Sequence, residues 1–315
     1  MDGFMSFHVV FRESVRNCMP FSFEYQQPAS YFVENHGAII SYQDEFFDGV
    51  CQSLNKEDTV VLFIDIDSEE KAEILASTTA RKVLRVVDPS KSDRKLYKNA
   101  LALHEKVNFD AFAICYPNKD HVDFLKNKGI EVIVWPHTLD FSDSKDSVKK
   151  SGIWISSGQQ HQEYYPSRWK LTDILMRNFG EYGTFLPHPG YELDNLRHPY
   201  IGKKYLDLLE NYWFMPIGIG INDGLHMKFV EAAYSNSLPI GTVPSYVPDH
   251  IAELVPFSKV DPNDYNEQTI IRELVRLVNN PEELARRISL YKQYFVENYN
   301  LPNVLENLAD KILKR

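Results

Sequence analysis

Cysteine is scarce in this 315-residue chain: Cys18, Cys51 and Cys115 are widely spaced, and none belongs to a CxxC pair. An odd number without paired spacing excludes a disulfide frame and a thiolate zinc site, and fits a reducing, cytoplasmic setting. The histidines, among them His137, His161, His188, His198 and His226, show no HxxxH or HExxH spacing, so no metal is expected. Long apolar runs are missing as well; none approaches the ~18 residues of a membrane span. The opening MDGFMSFHVVFRESVRN carries charges inside its apolar stretch and lacks a small-residue cleavage site, so it does not read as a signal peptide. Basic residues are in deficit: 34 Lys and Arg against 44 Asp and Glu give a net charge of −10. That balance weighs against nucleic acid or an anionic membrane as the main partner, though a local basic groove and peripheral membrane contact stay open. Repeats and low-complexity tracts are absent.

What remains is 43% apolar and 25% charged, the balance of a folded soluble protein, with length enough for two domains. The first region is aromatic-rich; SFHVVF (6–11) and GAIISY (37–42) read as strands, and the segment between them shows no clean period. From residue 59 the pattern sharpens. TVVLFID (59–65), KVLRVVD (82–88), AFAICYP (111–117) and EVIVWP (131–136) are continuous apolar runs, as expected of strands buried on both faces. Helical segments over 68–80, 94–107 and 121–129 separate them. HTLDFSDSKDSVKKSG (137–152) has the polar composition of a linker. Alternation then resumes, with strands at 152–158, 182–187, 213–219 and 238–240 and helices at 167–180 and 203–212. Amphipathic helices at 264–280, 281–299 and 303–315 complete the chain.

Strands alternating with helices of this length specify βαβ units and parallel sheets. The expected class is therefore α/β, with two Rossmann-like doubly wound domains facing across a cleft. The expected domains are 1–145 and 146–302. The terminal helix, 303–315, is free to cross back to the first domain. In such folds ligands bind at the carboxyl ends of the strands.

The stretch GIGINDGLHMKFVEAAYSNSLPIGT (218–242) is a glycine-punctuated turn, a short helix and a short strand. Glu231 borders the apolar face formed by Met227, Val230 and Tyr234, and a carboxylate there wants a donor. Two partners suit it: Lys228 in an exposed i,i+3 pair, or the hydroxyls of a ribose. Asn222, Asp223 and Gly224 precede the helix, whose free N–H groups suit phosphate, and His226 and Lys228 add positive character. Asp223 and Glu231 form an acidic-x7-Glu pattern.

This pattern, followed by LPIGT, resembles the donor-site motif of GT-B-fold glycosyltransferases of the group 1 type, commonly Glu-x7-Glu followed by a small-residue turn. GIWISSG with YYPSRWKLTDIL (152–175), KKYLDLLENYWFMPIGIG (203–220) and NNPEELARRISLYKQYFVENYN (279–300) resemble other segments of the same donor domain, so the likeness covers about residues 150–315. Asp223 stands where the family usually has Glu, and Lys228 where many members have Arg. The resemblance implies transfer of a sugar from a nucleotide-diphosphate donor, a UDP- or GDP-sugar first, to a hydroxyl of a glycan, lipid-linked or small-molecule acceptor, without a metal or other cofactor. It implies that Glu231 holds the ribose, that His226, Lys228 and the backbone at Gly224 face the diphosphate or sugar, and that Ser157, Gly158 and Arg168 lie near the diphosphate. A DNA-base glucosyltransferase, and a non-catalytic nucleotide-sugar-binding protein of the same fold, are the alternatives.

An inverting member also needs a base. Asp65 and Asp88, each ending an apolar strand, lead that choice, ahead of Asp67, His137 and Glu13. The Asp-x-Asp of FIDID also resembles the metal-gripping motif of single-domain glycosyltransferases and the first motif of haloacid-dehalogenase-like phosphatases, but neither accounts for the C-terminal half.

Overall fold

The computed structural model describes residues 6–16, 23–63, 66, 68–86, 95–146, 150–187, 200–220 and 223–313. The chain forms two compact units. The first runs to Pro136 and takes in Leu301 onward; the second comprises the described residues from His137 to Asn300.

The first unit holds a six-stranded, wholly parallel sheet in the order β2-β1-β3-β4-β5-β6. Its strands are β1 (Phe7–Phe11), β2 (Ile39–Tyr42), β3 (Thr59–Phe63), β4 (Arg81–Val86), β5 (Ala111–Ile114) and β6 (Glu131–Val134). The helices are α1 (Phe23–His36), the short α2 (Gln43–Glu45), α3 (Glu69–Ser77), α4 (Lys95–Val107) and α5 (Lys119–Lys126), with α12 (Leu301–Leu313) returning at the end of the chain.

The unbroken apolar run of β3 follows from burial on both faces. Val60 and Leu62 join one core with Ala72, Leu75 and Leu125 from α3 and α5. Val61 and Phe63 join the other, with Phe32 of α1 and Leu305, Leu308 and Ile312 of α12. Residues of α12 thus complete a core whose other members lie before residue 136. Helix α1 falls in the segment whose sequence has no clean period. Pro28 lies inside it, and aromatics in its sequence obscure a single apolar stripe.

The second unit holds a four-stranded parallel sheet, β10-β9-β7-β8. Its strands are β7 (Gly152–Ser157), β8 (Gly183–Leu186), β9 (Tyr212–Pro216) and β10 (Leu238–Ile240). Around them lie α6 (Pro166–Phe179), α7 (Lys203–Leu209), α8 (Met227–Tyr234), α9 (Asp249–Ala252), α10 (Glu267–Val278) and α11 (Pro281–Tyr299). Trp154, Phe214, Leu238 and Ile240 of the sheet pack with Leu171 and Leu175 of α6, Leu274 of α10 and Leu284 of α11. From β7 the chain goes to β8 on one side and then returns to β9 on the other. The strand order therefore reverses at β7 and β9, and a doubly wound sheet opens its ligand crevice beyond the carboxyl ends at such a reversal.

The unit begins at residue 137, before the 145/146 division read from composition. The polar stretch from residue 137 is strapped onto the second unit through its described residues. Ser144 Oγ donates to the Tyr234 carbonyl at 2.6 Å, Asn236 Nδ2 to the Lys145 carbonyl at 2.6 Å, and Lys150 Nζ to the Ser235 carbonyl at 2.9 Å. Lys145 also pairs with Glu210. Side-chain-to-backbone bonds of this kind leave no apolar period in the sequence, so the strap reads as a linker. Among the described residues no helix is long and apolar enough to cross a membrane.

Candidate functional site

The crevice at the β7/β9 reversal gathers residues from four places in the second unit: the turn after β7, the first turn of α6, helix α7, and the loop after β9 that leads into α8. Ser157 ends β7, and Gly158 follows with φ +90°, a conformation that side chains resist. A Cβ on Gly158 would sit 3.1 Å from Lys228 Cε and 3.4 Å from Arg168 Nη1, so the missing side chain also lets two cations approach the turn.

Arg168, one turn into α6, is only 3% exposed. Its Nη1 donates to the Gln159 carbonyl at 3.1 Å, and its guanidinium lies 4.4 Å from the centre of the Tyr165 ring. Its Nε has no hydrogen-bond partner among the described residues. Burial pulls its pKa below the usual arginine value, opposed by Tyr165, Glu231 and Tyr205.

Helix α8 encloses the carboxylate that the sequence places beside its apolar face. Phe229, Val230, Glu231, Ala232, Ala233 and Tyr234 are all buried, because α8 packs against α7, α11 and β10. Glu231, 5% exposed, is inside with them. Its Oε2 accepts from Lys228 Nζ at 2.7 Å and from the Tyr205 hydroxyl at 2.7 Å. The i,i+3 pair read from the sequence therefore exists, but it is buried rather than solvated. Lys228 Nζ also donates to the Tyr205 oxygen at 2.8 Å, and the Ser157 hydroxyl lies 2.7 Å from that oxygen. Burial lowers the Lys228 pKa, with Glu231 working the other way. Burial and the neighbouring Glu231 raise the Tyr205 pKa, so its phenol stays protonated and donates. Two basic side chains, Arg168 and Lys228, thus stand beside one described carboxylate, Glu231, and all three are largely shielded from water.

The loop before α8 is held by its own side chains. Asp223 has φ +52° and accepts from Ser245 N at 3.1 Å and Ser245 Oγ at 2.5 Å. Gly224 follows, and the next amide, Leu225 N, donates to the Tyr246 hydroxyl at 2.8 Å. His226 Nε2 accepts the Gly220 amide at 3.0 Å, and its ring meets Tyr165 edge-on at 5.3 Å. Burial first, then Arg168 and His137, pushes the His226 pKa down to about 3, so the ring is neutral. Gly241 closes the LPIGT turn at φ +121°, and a Cβ there would lie 2.0 Å from the Ile217 carbonyl oxygen.

His226 has a measurable consequence. Its folded pKa lies below the ordinary ~6.5 of an unfolded histidine, so between the two values the unfolded chain binds the extra proton. Stability is then present in full above pH ~6.5 and is lost as pH falls toward 3. We expect His226→Gln to flatten this acid limb in urea unfolding followed from pH 7 to 4. An unchanged limb would show that His226 is not the group responsible.

Ser157, Gly158, Arg168, Lys228 and Glu231 thus converge on one network. Asp223, Gly224 and His226 belong to the adjoining loop. Asp65, Asp67, Asp88 and Asn222 lie outside the described residues. Among the described residues no group of three or more His, Cys, Asp or Glu is placed to hold a metal ion. Tyr205 did not stand out in sequence. It lies third in the helical segment KKYLDLLENY, and only the fold places its hydroxyl on Glu231.

No protein-family model and no curated protein sequence matches the chain. Solved structures do. An alpha-glucosyltransferase (AGT) in complex with UDP aligns with a TM-score of 0.66 at 11% identity, covering 98% of this chain and 100% of that one. An alpha-glucosyltransferase with UDP and a 13-mer DNA containing a HMU base aligns at 0.64 and 10% identity, covering 99% and 100%. A point mutant of S. aureus TarM, in complex with Fondaparinux, alpha-GlcNAc-glycerol and UDP, aligns at 0.56 and 12% identity, covering 83% of this chain. This chain spans only 56% of the TarM chain. At such identities the likeness speaks for architecture, and the architecture is that of GT-B glycosyltransferases: an α/β chain of two Rossmann-like units, each built on a parallel sheet.

Proposed function

We propose that the chain is a glycosyltransferase that moves a sugar from a nucleoside diphosphate-sugar to an acceptor hydroxyl. The observation that carries this reading is the excess of buried positive charge at the strand-order reversal among the described residues: Arg168, whose Nε has no partner there, beside Lys228, against the one described carboxylate, Glu231. A buried cation without full pairing is unfavourable unless an anion completes it. A diphosphate does so, and a planar guanidinium suits its oxygens.

In the reaction the bond from the anomeric carbon to the diphosphate oxygen breaks, and the electron pair leaves with the diphosphate. The acceptor oxygen forms the new bond and loses its proton. Negative charge rises on the leaving group in the transition state, so Arg168 and Lys228 hold it more tightly there than in the ground state. Two fixed side-chain cations supply the charge that a metal would otherwise bring. Glu231 takes the ribose, and Gly158 with Ser157 lets the diphosphate approach the backbone after β7. His226 and Asp223 act on the donor through the loop they hold. For an inverting course, Asp65 or Asp88 is the proposed base. A cytoplasmic setting agrees with free, buried Cys51 and Cys115.

For the acceptor, hydroxyls of glycans, lipid-linked sugars or small molecules are one class. The alignment over the full length of an alpha-glucosyltransferase solved with UDP and DNA containing a HMU base favours a second, a hydroxyl on a modified base in DNA. The net charge of −10 does not dispose of that class, because a local groove decides phosphate contacts.

The test is a thermal-shift and calorimetric panel of UDP, GDP, dTDP and CMP, followed by donor hydrolysis. We expect one nucleoside diphosphate to raise the melting temperature, CMP to have little effect, and the matching sugar nucleotide to hydrolyse slowly. No shift with any diphosphate would remove the donor reading. Glycan acceptors and duplexes carrying hydroxymethylated bases, offered with the active donor, then separate the two acceptor classes.

A further inference from the structure

The carboxylate of Glu231 is half occupied before any ligand arrives. A carboxylate oxygen has about two lone-pair positions, and both positions on Oε2 are filled. Lys228 Nζ takes one at 2.7 Å and the Tyr205 hydroxyl takes the other at 2.7 Å. Oε1 accepts no hydrogen bond from a described residue.

The Tyr205 hydroxyl is fixed in this role. Its proton lies toward Glu231, while its oxygen accepts from Lys228 at 2.8 Å and faces the Ser157 hydroxyl at 2.7 Å. The Lys228 ammonium also lies 4.8 Å from the centre of the tyrosine ring. Lys228 gives two N–H groups to Glu231 and Tyr205 and keeps a third for the diphosphate, so ligand binding need not release Oε2.

Two adjacent ribose hydroxyls span a carboxylate by taking one oxygen each, because they lie too close together to align with both diverging lone pairs of a single oxygen. With Oε2 saturated, Glu231 has one oxygen to offer. We infer that Tyr205 is a specificity-determining residue whose hydroxyl occupies the place of a second ribose hydroxyl on Glu231, so that the site reads only one of the two and admits deoxyribonucleoside diphosphate donors. This rests on the donor-site reading given above. It assigns Tyr205 a role at the nucleotide's sugar, and it widens the donor class to nucleotides that lack one ribose hydroxyl.

The experiment compares UDP, 2′-deoxy-UDP and 3′-deoxy-UDP by calorimetry on the wild-type chain and on Tyr205→Phe. For the wild type we expect one deoxy form to bind within about 3-fold of UDP and the other to bind about 10-fold or more weakly, the worth of one hydrogen bond to a charged group. Tyr205→Phe opens a lone pair on Oε2. The tolerated deoxy form should then fall about 10-fold behind UDP, a change in ratio that a merely structural role would not produce. The wild-type comparison needs no variant, so it stands even if Tyr205→Phe folds poorly. If UDP binds the wild type and both deoxy forms lose 10-fold or more, the inference is overturned and the donor site survives. The same holds if Tyr205→Phe keeps the wild-type ratios. If UDP does not bind the wild type but GDP does, the same comparison is made with GDP and its 2′- and 3′-deoxy forms; if no nucleoside diphosphate binds, the donor reading falls and this inference falls with it.

Discussion

Replacing Arg168 with methionine is expected to weaken binding of the preferred nucleoside diphosphate about 100-fold, the scale of one or two hydrogen bonds to a charged group. It is also expected to leave the melting temperature unchanged or raised. The two effects part because Arg168 is 3% exposed and, among the described residues, its Nε has no partner and its one hydrogen bond goes to a carbonyl. An incompletely paired buried cation costs desolvation that the ligand-free protein does not recover. Methionine keeps much of the apolar stem against Tyr165 and removes that cost. Stability gained where binding is lost marks a residue kept for its ligand rather than for the fold. Calorimetry and thermal melting of one variant settle the matter. A fall in melting temperature with affinity intact would make Arg168 a structural residue.

Glu231→Ala should be costly in both respects. Removing the carboxylate leaves the Lys228 ammonium in a pocket where its side chain is 17% exposed, with no counter-charge at 2.7 Å. Breaking a buried pair in this way costs ~3–5 kcal/mol, whereas a solvated pair would lose at most ~1 kcal/mol. Urea unfolding at neutral pH distinguishes the two. The pH dependence follows from Lys228, whose folded pKa is already lowered by burial and falls further without Glu231. Between that lowered value and the ordinary ~10.4, the unfolded chain binds the extra proton, so stability rises with pH. The deficit of Glu231→Ala should therefore shrink as pH is raised from 7 toward 10. Adding Lys228→Met should recover most of the stability but not the nucleotide affinity, a coupling that isolates the pair from the ligand. A small, pH-independent loss would place the pair in solvent after all.

The segments that line the candidate site stand out in the sequence. Glycine punctuation, a helix start and Glu231 marked the segment 218–242, and GIWISSG marked the turn at Gly158. Helix α8 itself was harder, because a stripe at Met227, Val230 and Tyr234 suggested one buried face, whereas nearly the whole helix is enclosed. Helix α1 was hidden by Pro28 and its aromatics, and the strap from residue 137 by its polarity. Tyr205 was hidden for a different reason. Nothing local distinguishes a tyrosine that fills a core from one that donates to a carboxylate 26 residues away.

By itself the sequence determined the alternation of strands and helices, the parallel sheets that alternation requires, and the residue types at the crevice. These depend on periodicity and turn chemistry, which are properties of neighbours along the chain. Only the tertiary structure decided that Glu231 and Lys228 meet away from water, that Arg168 is buried with a donor to spare, that His226 is neutral, and that α12 returns to the first core. Burial and partnership are set by residues distant in sequence. Charge state and the strength of an ion pair follow from that enclosure and not from residue type alone.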